Sequence, residues 1–362
     1  MDLRREDLEI YLQSVFDKDL ELLGFRKIGE PLSVSEDVKG FGYGSPLLLE
    51  YIKNGRKESA VLSTMRIQHG FGHDHFSDRA KILIWQNSVF NKLPKHVRSI
   101  DVGYFTDSGE LVSSGAAKEY FLLMEKIDGR EYFHDLERVK EQGAEDIDHE
   151  RVIALSDYLA EIHSNKKDCP PLYRRKIRET IGDGECIFGI LDDYPESSSF
   201  LRPDELCNIE KLCVEWRWKL RCKAHRLCQV HGDFHPWNIM FREGSDFSVL
   251  DRSRGEFGEP ADDITAITMN YIFYSVQKNM LLAGGLKDLF ELFFDNYLDK
   301  TGDEELLEVI PPFLAFRAVV VASPTWYPLL SPDIRRAIFN FLENVLRKNR
   351  FDYRNIAKYF LE

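Results

Sequence analysis

Long apolar segments are missing from this sequence of 362 residues. The most apolar stretch, residues 313–322, is far shorter than the roughly 20 residues of a membrane-spanning helix, and Arg317 interrupts it. Residues 1–10 are rich in charge and lack the apolar segment of a signal peptide. We therefore expect no membrane span, and we interpret residues 313–322 as a buried helix.

Cysteine is also scarce. The six cysteines include no C-x-x-C pair, the spacing typical of zinc and redox sites. Their number is low for a chain of this length that would depend on disulfides. The pattern favours reduced thiols in a cytoplasmic protein.

An excess of positive charge is absent. Lysine and arginine number 48 against 61 aspartates and glutamates, so the formal net charge is −13. Long nucleic acids are therefore not expected as partners, because a phosphate backbone demands a basic surface. An acidic protein that binds a polyphosphate needs a divalent metal and a few placed cations to offset the repulsion.

The N-terminal part of the chain predicts a small β-rich lobe. Residues 1–24 have apolar positions at roughly helical spacing, which predicts one or two amphipathic helices. The order strand, strand, helix, strand follows, with strands at residues 47–52, 60–67 and 120–125 and a helix at residues 77–93.

Helical patterns predominate after residue 129. Residues 169–202, with clustered proline, glycine and serine, predict an irregular insertion. The sequence therefore predicts an α+β protein, with an N-terminal lobe of residues 1–127 and a larger, mainly helical C-terminal lobe of residues 128–362. The predicted helices of the second lobe cover residues 151–163, 203–227, 261–282, 286–298 and 332–347.

Two acids and an amide punctuate apolar strands in the second lobe. Residues 230–241 read VHGDFHPWNIMF, and residues 248–251 read SVLD. Phosphoryl transfer needs a carboxylate that orients and deprotonates the acceptor hydroxyl, and oxygen ligands for the metal ion that neutralises the phosphates. Asp233, Asn238 and Asp251 supply that set. The spacing from Asp233 to Asn238 equals that of the Asp and Asn in the protein-kinase motif H-R-D-L-x-x-x-N.

This block resembles the catalytic loop of the aminoglycoside phosphotransferase and choline kinase superfamily, which reads H-G-D-x-x-x-x-N. Gly232 in place of arginine favours that branch over true protein kinases. Downstream, the sequence GEPADDI at residues 258–264 resembles the family's G-D-P-x-x-D-L segment, whose late acid, here Asp263, ties the catalytic loop to a helix.

The resemblance implies a bilobal, protein-kinase-like fold and assigns roles within the loop. Asp233 would be the catalytic base, while Asn238 and Asp251 would be ligands of Mg²⁺. His231 is interpreted as a residue that braces the loop, and His235 as a surface residue or a neighbour of the site.

The segment that joins the lobes also resembles the family. Residues 121–129, FLLMEKIDG, are similar to the strand that ends in a backbone cradle for adenine. The resemblance implies that backbone groups of Glu125, Lys126 and Ile127 bind the base of ATP. Residues 151–163 are similar to the family's L-A-x-I-H helix.

The phosphate contacts depart from the family pattern. The family places a lysine or arginine near the end of the third strand, where this sequence has Ser63. Arg66 is a candidate substitute, although it lies on the opposite strand face unless a bulge intervenes. Asp78 is the nearest candidate for the helix acid that pairs with this cation. Two glycine-containing segments, residues 39–46 and 68–75, remain alternatives for the loop that covers the phosphates.

The leading hypothesis is an ATP-dependent phosphotransferase that moves the γ-phosphate to a hydroxyl of a small molecule. The acceptor and the oligomeric state stay open. The main alternative, motivated by Ser63, is a nucleotide-binding pseudokinase or scaffold with little turnover. Transfer of AMP and phosphorylation of a protein hydroxyl are further alternatives, which the mass of the product would separate.

The missing strand cation generates a test. If Arg66 reaches the phosphates, Arg66→Ala should weaken ATP binding by about 1–3 kcal/mol, because a charge-assisted hydrogen bond is lost. Calorimetric titration with Mg·ATP measures this change. Unchanged affinity in Arg66→Ala, together with higher activity in Ser63→Lys, would show that Arg66 is not the substitute.

Overall fold

The computed structural model describes residues 3–16, 18–28, 44–67, 70–196 and 198–361. The chain divides into two compact units, Met1–Met124 and Glu125–Glu362. The first combines a small antiparallel sheet with two helices, and the second is mainly helical. The predicted α+β class is therefore confirmed. Among the described residues, no helix is long and apolar enough to cross a membrane.

The first unit is built on an antiparallel sheet in which the strands β1 (Glu21–Lys27), β2 (Gly44–Lys53) and β3 (Arg56–Met65) lie in that order. Its small core joins Leu8 and Leu12 of the first helix to apolar side chains of the sheet. A two-stranded pair, β4 and β5, completes the unit. The elements are α1 (Arg5–Val15), β1 (Glu21–Lys27), β2 (Gly44–Lys53), β3 (Arg56–Met65), α2 (Phe76–Phe90), β4 (Gly103–Phe105) and β5 (Leu111–Ser113).

The structure corrects the N-terminal prediction. Only α1 is helical within the part of residues 1–24 that is described, and β1 begins at Glu21. Leu20 and Leu22 are buried while Glu21 between them is exposed, which is the period of a strand rather than a helix. A short segment with few apolar residues does not distinguish the helical period of about 3.6 residues from the strand period of two residues.

The predicted strand at residues 120–125 is wrong. The segment has no regular secondary structure, and the side chains of Phe121 and Leu123 are 92% and 89% exposed. A strand requires a neighbour that pairs with its backbone groups, and none of the described strands pairs with this segment. Apolar composition alone therefore overpredicted the strand.

The second unit surrounds one large apolar core. Helix α8 (Pro260–Asn279), buried along most of its length, packs against α3 (Phe133–Gln142), α9 (Gly284–Thr301) and α11 (Pro311–Val321). The elements are β6 (Arg130–Glu131), α3 (Phe133–Gln142), α4 (Asp146–His163), α5 (Pro170–Gly182), α6 (Ile187–Asp192), α7 (Pro203–Leu220), β7 (Cys228–Gln229), β8 (Ile239–Phe241), β9 (Phe247–Val249), β10 (Phe257–Gly258), α8 (Pro260–Asn279), α9 (Gly284–Thr301), α10 (Leu306–Val309), α11 (Pro311–Val321), α12 (Pro332–Leu346) and α13 (Lys358–Leu361).

The N-termini of two helices in this unit, α8 and α11, are defined by proline. Helix α8 begins with Pro260, and only Glu259 separates it from β10, the strand that pairs with β7. Proline suits this position because a backbone N–H in the first turn of a helix has no partner within the helix, so its absence loses no hydrogen bond. Helix α11, the buried helix predicted at residues 313–322, likewise begins with a proline.

Residues 169–202 are not an irregular insertion, because they contain α5 and α6. Pro170 and Pro171 begin α5 instead of breaking it. Tyr173, Ile177 and Ile181 then repeat every four residues and are buried on one face. Proline at the start of the segment and glycine at the end of α5 obscure this helical period in the sequence.

The buried face of α5 can be tested by truncation. Ile177→Ala should lower the free energy of unfolding by about 2–5 kcal/mol, because it leaves a cavity in the core. Arg174 lies on the exposed face of the same helix. Arg174→Ala should change the same quantity by less than about 0.5 kcal/mol in matched chemical denaturation. Equal effects of the two variants would contradict the placement of α5.

Candidate active site

The loop between β7 and β8 carries the predicted catalytic residues. His235 caps the short 3-10 helix Pro236–Asn238, since its Nδ1 accepts a hydrogen bond from the backbone N–H of Trp237 at 3.2 Å. The side-chain amide of Asn238 donates to the backbone oxygen of Asp233 at 3.1 Å. The loop is thus closed on itself between the two predicted site residues.

The hairpin β8–β9 returns the chain to the same point. Its register pairs Ile239 with Val249, and the backbone N–H of Leu250 donates to the oxygen of Asn238 at 2.8 Å. Asp251 follows immediately, in a left-handed conformation with φ of 54°, and its side chain is exposed. Asn238 and Asp251 therefore lie at the same end of one hairpin.

Gly232 fits its position for two reasons. Its φ is +90°, in a region that residues with a side chain rarely adopt. A Cβ added there would also lie 3.1 Å from Cβ of Arg254. The positive φ and the close approach of Arg254 therefore both favour glycine between His231 and Asp233.

Asp263 ties the loop to α8, as the family resemblance implied. Its two carboxylate oxygens accept hydrogen bonds from the backbone N–H groups of His231 and Gly232, each at 2.7 Å. The ring of His163 lies 3.2 Å from the same carboxylate. Burial alone would raise the pKa of Asp263, but these contacts with His163 and the backbone lower it below its usual value.

His231 braces the loop from inside. The ring is almost fully buried, and its Nδ1 accepts a hydrogen bond from the backbone N–H of Asp233 at 3.3 Å. Burial lowers the pKa of His231, which favours the neutral ring. This placement agrees with the bracing role predicted for it.

Asp233 is surrounded by positively charged groups and a histidine. Its Oδ1 lies 2.7 Å from Nη1 of Arg317 and 3.9 Å from Nε of Arg254, while Oδ2 lies 3.5 Å from Nε2 of His235. Burial alone would raise the pKa of Asp233. The contacts with His235 and Arg317 outweigh burial and hold the pKa well below its usual value, so the carboxylate is ionised.

Arg317 and Arg254 were not predicted as site residues. A signal for Arg317 existed, because it is the one charge within the most apolar stretch of the sequence. A guanidinium in a buried helix must be paired, so its partner is an acid brought near by the fold. Nothing in the sequence identifies that acid, which lies 84 residues away along the chain.

The residues predicted to contact the nucleotide are spread along the chain. Ser63 pairs with Pro46 inside β3 and is exposed. Arg66 is exposed just beyond the end of β3, whose register with β2 has no shift. Glu125 and Lys126 are exposed and Ile127 is half-buried, all outside regular secondary structure. Their contact with a nucleotide stays a prediction.

Asp78 has a local role in the first unit. Its carboxylate accepts a hydrogen bond from the backbone N–H of His75 at 2.9 Å and forms a capping box at the start of α2. Both candidate phosphate-covering segments lie partly outside the described residues, at residues 39–43 and 68–69. In the second segment, the backbone N–H of Gly70 donates to Asp74 at 2.9 Å.

The chemistry of Asn238 and Asp251 suits a magnesium ion. An amide oxygen and a carboxylate are hard ligands, and Mg²⁺ commonly completes its shell with water and substrate phosphates. Over the described ranges, no group of three or more histidines, cysteines, aspartates or glutamates is placed to hold a metal without such help.

Comparison with known proteins assigns the family. The sequence profile described as the phosphotransferase enzyme family matches residues 102–295, more than half of the chain. No curated protein sequence matches the chain.

Solved structures show weaker similarity. An amicoumacin kinase in complex with AMP-PNP and Ca²⁺ is 15% identical with a TM-score of 0.39, and the match covers 97% of this chain and 96% of that chain. An ethanolamine kinase of Plasmodium vivax is 15% identical with a TM-score of 0.35, and the match covers 99% of this chain and 88% of that chain. The choline kinase LicA of Streptococcus pneumoniae is 11% identical with a TM-score of 0.35, and the match covers 94% of this chain and 98% of that chain.

The profile match, together with the H-G-D-x-x-x-x-N loop and the acid that ties it to α8, decides the assignment. The chain belongs to the phosphotransferase enzyme family, in the superfamily of aminoglycoside phosphotransferases and choline kinases, and has the protein-kinase-like fold of that superfamily.

Proposed function

We propose that this phosphotransferase moves the γ-phosphate of ATP to a hydroxyl of a small molecule. The supporting observation is the ionised, partly exposed carboxylate of Asp233 at a loop whose backbone is held by the buried carboxylate of Asp263. A carboxylate fixed in this way can accept a hydrogen bond from an acceptor hydroxyl and take up its proton as the phosphoryl group is transferred.

Asn238 and Asp251 would hold Mg²⁺ beside this carboxylate. The ion, when bound, neutralises charge on the phosphates of the nucleotide. The hairpin fixes the two ligands relative to each other, because the backbone of Asn238 is hydrogen-bonded to the residue that precedes Asp251. The side-chain nitrogen of Asn238 is engaged by Asp233, so its oxygen is the atom that can face a cation.

The proposal includes two groups of nucleotide contacts carried over from the family resemblance. Backbone groups of Glu125, Lys126 and Ile127 would hold adenine, and Arg66 would replace the strand cation at the phosphates. The acidic net charge supports a small acceptor over a nucleic acid. Six free cysteines support a cytoplasmic location.

The pseudokinase alternative is the weaker of the two hypotheses. It was motivated by Ser63, but the loop retains Asp233, Asn238 and Asp251 together. A chain that only binds nucleotide has no need for an ionised carboxylate held between Arg317 and His235.

The proposal is tested by incubating hydroxyl compounds with ATP, with and without Mg²⁺. We expect the mass of an acceptor to increase by one phosphoryl group only when Mg²⁺ is present. ATP binding without any such product would favour the alternative.

Asp233→Asn separates chemistry from binding. We expect ATP affinity to persist while turnover falls by about 100-fold or more, because the base is lost and the nucleotide contacts remain. Steady-state kinetics and calorimetry measure the two quantities. The control is Asp204→Asn, an exposed aspartate of α7, which should leave both unchanged. Near-normal turnover in Asp233→Asn would remove this carboxylate from the mechanism.

Asp251→Ala tests the metal role. We expect Mg²⁺-dependent ATP binding to be lost, since the carboxylate that would hold the ion is absent. Calorimetric titration of ATP with and without Mg²⁺ measures this. Asp246 lies in the turn of the same hairpin and pairs with Arg242, so Asp246→Ala is the matched control and should bind normally. If Mg²⁺ raises ATP affinity equally in both variants, Asp251 is not a ligand.

A further inference from the structure

Arg317 connects the catalytic loop to two helices. It belongs to α11, and its side chain is 7% exposed. Nη1 contacts Oδ1 of Asp233 at 2.7 Å, and Nη2 contacts Oδ1 of Asp262 at 2.7 Å. Nη2 also donates to the backbone oxygen of Gly232 at 3.3 Å. One guanidinium therefore joins α11, the first turn of α8 and the loop that carries Asp233.

The apolar surroundings of Arg317 make its buried positive charge unfavourable unless acids pair with it. The neighbouring residues of α11 are apolar and buried, and the guanidinium lies over the ring of Phe316 at 4.5 Å. Burial of a cation is tolerated only when acids and acceptors replace its water. Asp233 and Asp262 supply those acids, so the catalytic carboxylate is itself part of the buried network.

Two adjacent acids of α8, Asp262 and Asp263, hold different parts of the loop. Asp263 accepts from the backbone of His231 and Gly232, which fixes the path of the chain. Asp262 holds Arg317, which in turn holds the side chain of Asp233. The first acid thus acts on the backbone of the loop, and the second acts on the carboxylate through the guanidinium.

The geometry leaves the two oxygens of Asp233 in different surroundings. Oδ1 is engaged by Arg317, whereas Oδ2 faces His235 at the longer distance of 3.5 Å. Rotation about the Cβ–Cγ bond would exchange the two oxygens, and the ion pair with Arg317 opposes that rotation. An acceptor hydroxyl therefore meets a carboxylate of fixed orientation.

We propose that Arg317 is a positioning residue of the phosphotransferase site, held by Asp262, that fixes the carboxylate of Asp233 with Oδ2 toward the acceptor hydroxyl. This inference rests on the proposed function, in which Asp233 receives the hydroxyl proton. Arg317 acts through Asp233 and not on the nucleotide, because both of its terminal nitrogens are already engaged by Asp233, Asp262 and Gly232.

A buried arginine elsewhere in the second unit provides a matched control. Arg335 of α12 is 3% exposed and donates to the backbone oxygens of Ala322 and Tyr327. It stabilises packing but contacts no residue of the catalytic loop through these bonds. Arg335→Met therefore reports the cost of removing a buried guanidinium without disturbing Asp233.

The experiment measures ADP release from Mg·ATP with water as the acceptor, beside calorimetric ATP binding. Arg317→Met should lower the rate by about 100-fold, because a misplaced base is lost to the reaction. Its ATP dissociation constant should stay within about threefold of the wild-type value. Added methylguanidinium should restore part of the rate in Arg317→Met, and Arg335→Met should keep the wild-type rate.

Two further variants keep the inference testable if Arg317→Met does not fold. Arg317→Lys retains the charge but loses the two-pronged contact, and Asp262→Asn removes the acid that holds the guanidinium. Both should release ADP at rates between those of the wild type and Asp233→Asn. A wild-type rate in both variants would overturn the positioning role, as would a loss in Arg317→Met that methylguanidinium does not restore and that Arg335→Met shares.

Failure of the proposed function gives a different result. A wild-type protein that binds Mg·ATP but releases no ADP and phosphorylates nothing would contradict that function. The contact itself is then tested by NMR of the Arg317 guanidinium. Slow rotation of its terminal nitrogens is expected in the wild type and in Asp204→Asn, and faster rotation in Asp233→Asn. Equal rotation in all three proteins would overturn the inference.

Discussion

The hydrogen bonds from the loop that carries Asp233 to the buried carboxylate of Asp263 are the constraint on which the candidate site depends. A fully buried acid is stable only when its oxygens are satisfied, and here the N–H groups of His231 and Gly232 satisfy them. This requirement fixes the loop against the first turn of α8. At this attachment Gly232 adopts a φ of +90°, a region that residues with a side chain rarely enter.

Charge is distributed in this protein in a way that its composition conceals. The chain carries a net charge of −13, yet the acid proposed as the base lies beside Arg317 and Arg254. These cations and His235 keep Asp233 ionised despite its partial burial. A carboxylate held this way has a defined orientation, and phosphoryl transfer depends on positioning and electrostatics more than on covalent chemistry by the protein.

The two compact units contribute differently to the interpretation. The second unit has a large apolar core, and its buried helices α8 and α11 carry the polar side chains that hold the loop. Rigid, packed elements of this kind can fix a side chain to within a fraction of an ångström. The first unit has a small core and contains Ser63 and Arg66, where the sequence departs from the family.

The sequence by itself determined the α+β class, the family and the local chemistry of the loop. Asp233, Asn238 and Asp251 lie within one loop and hairpin, so short-range spacing was enough to group them. Tertiary structure decided what spacing cannot encode. The ion pair of Arg317 with Asp233 joins residues 84 positions apart, and it exists because packing of α11 on α8 brings a buried guanidinium to Asp233 and Asp262.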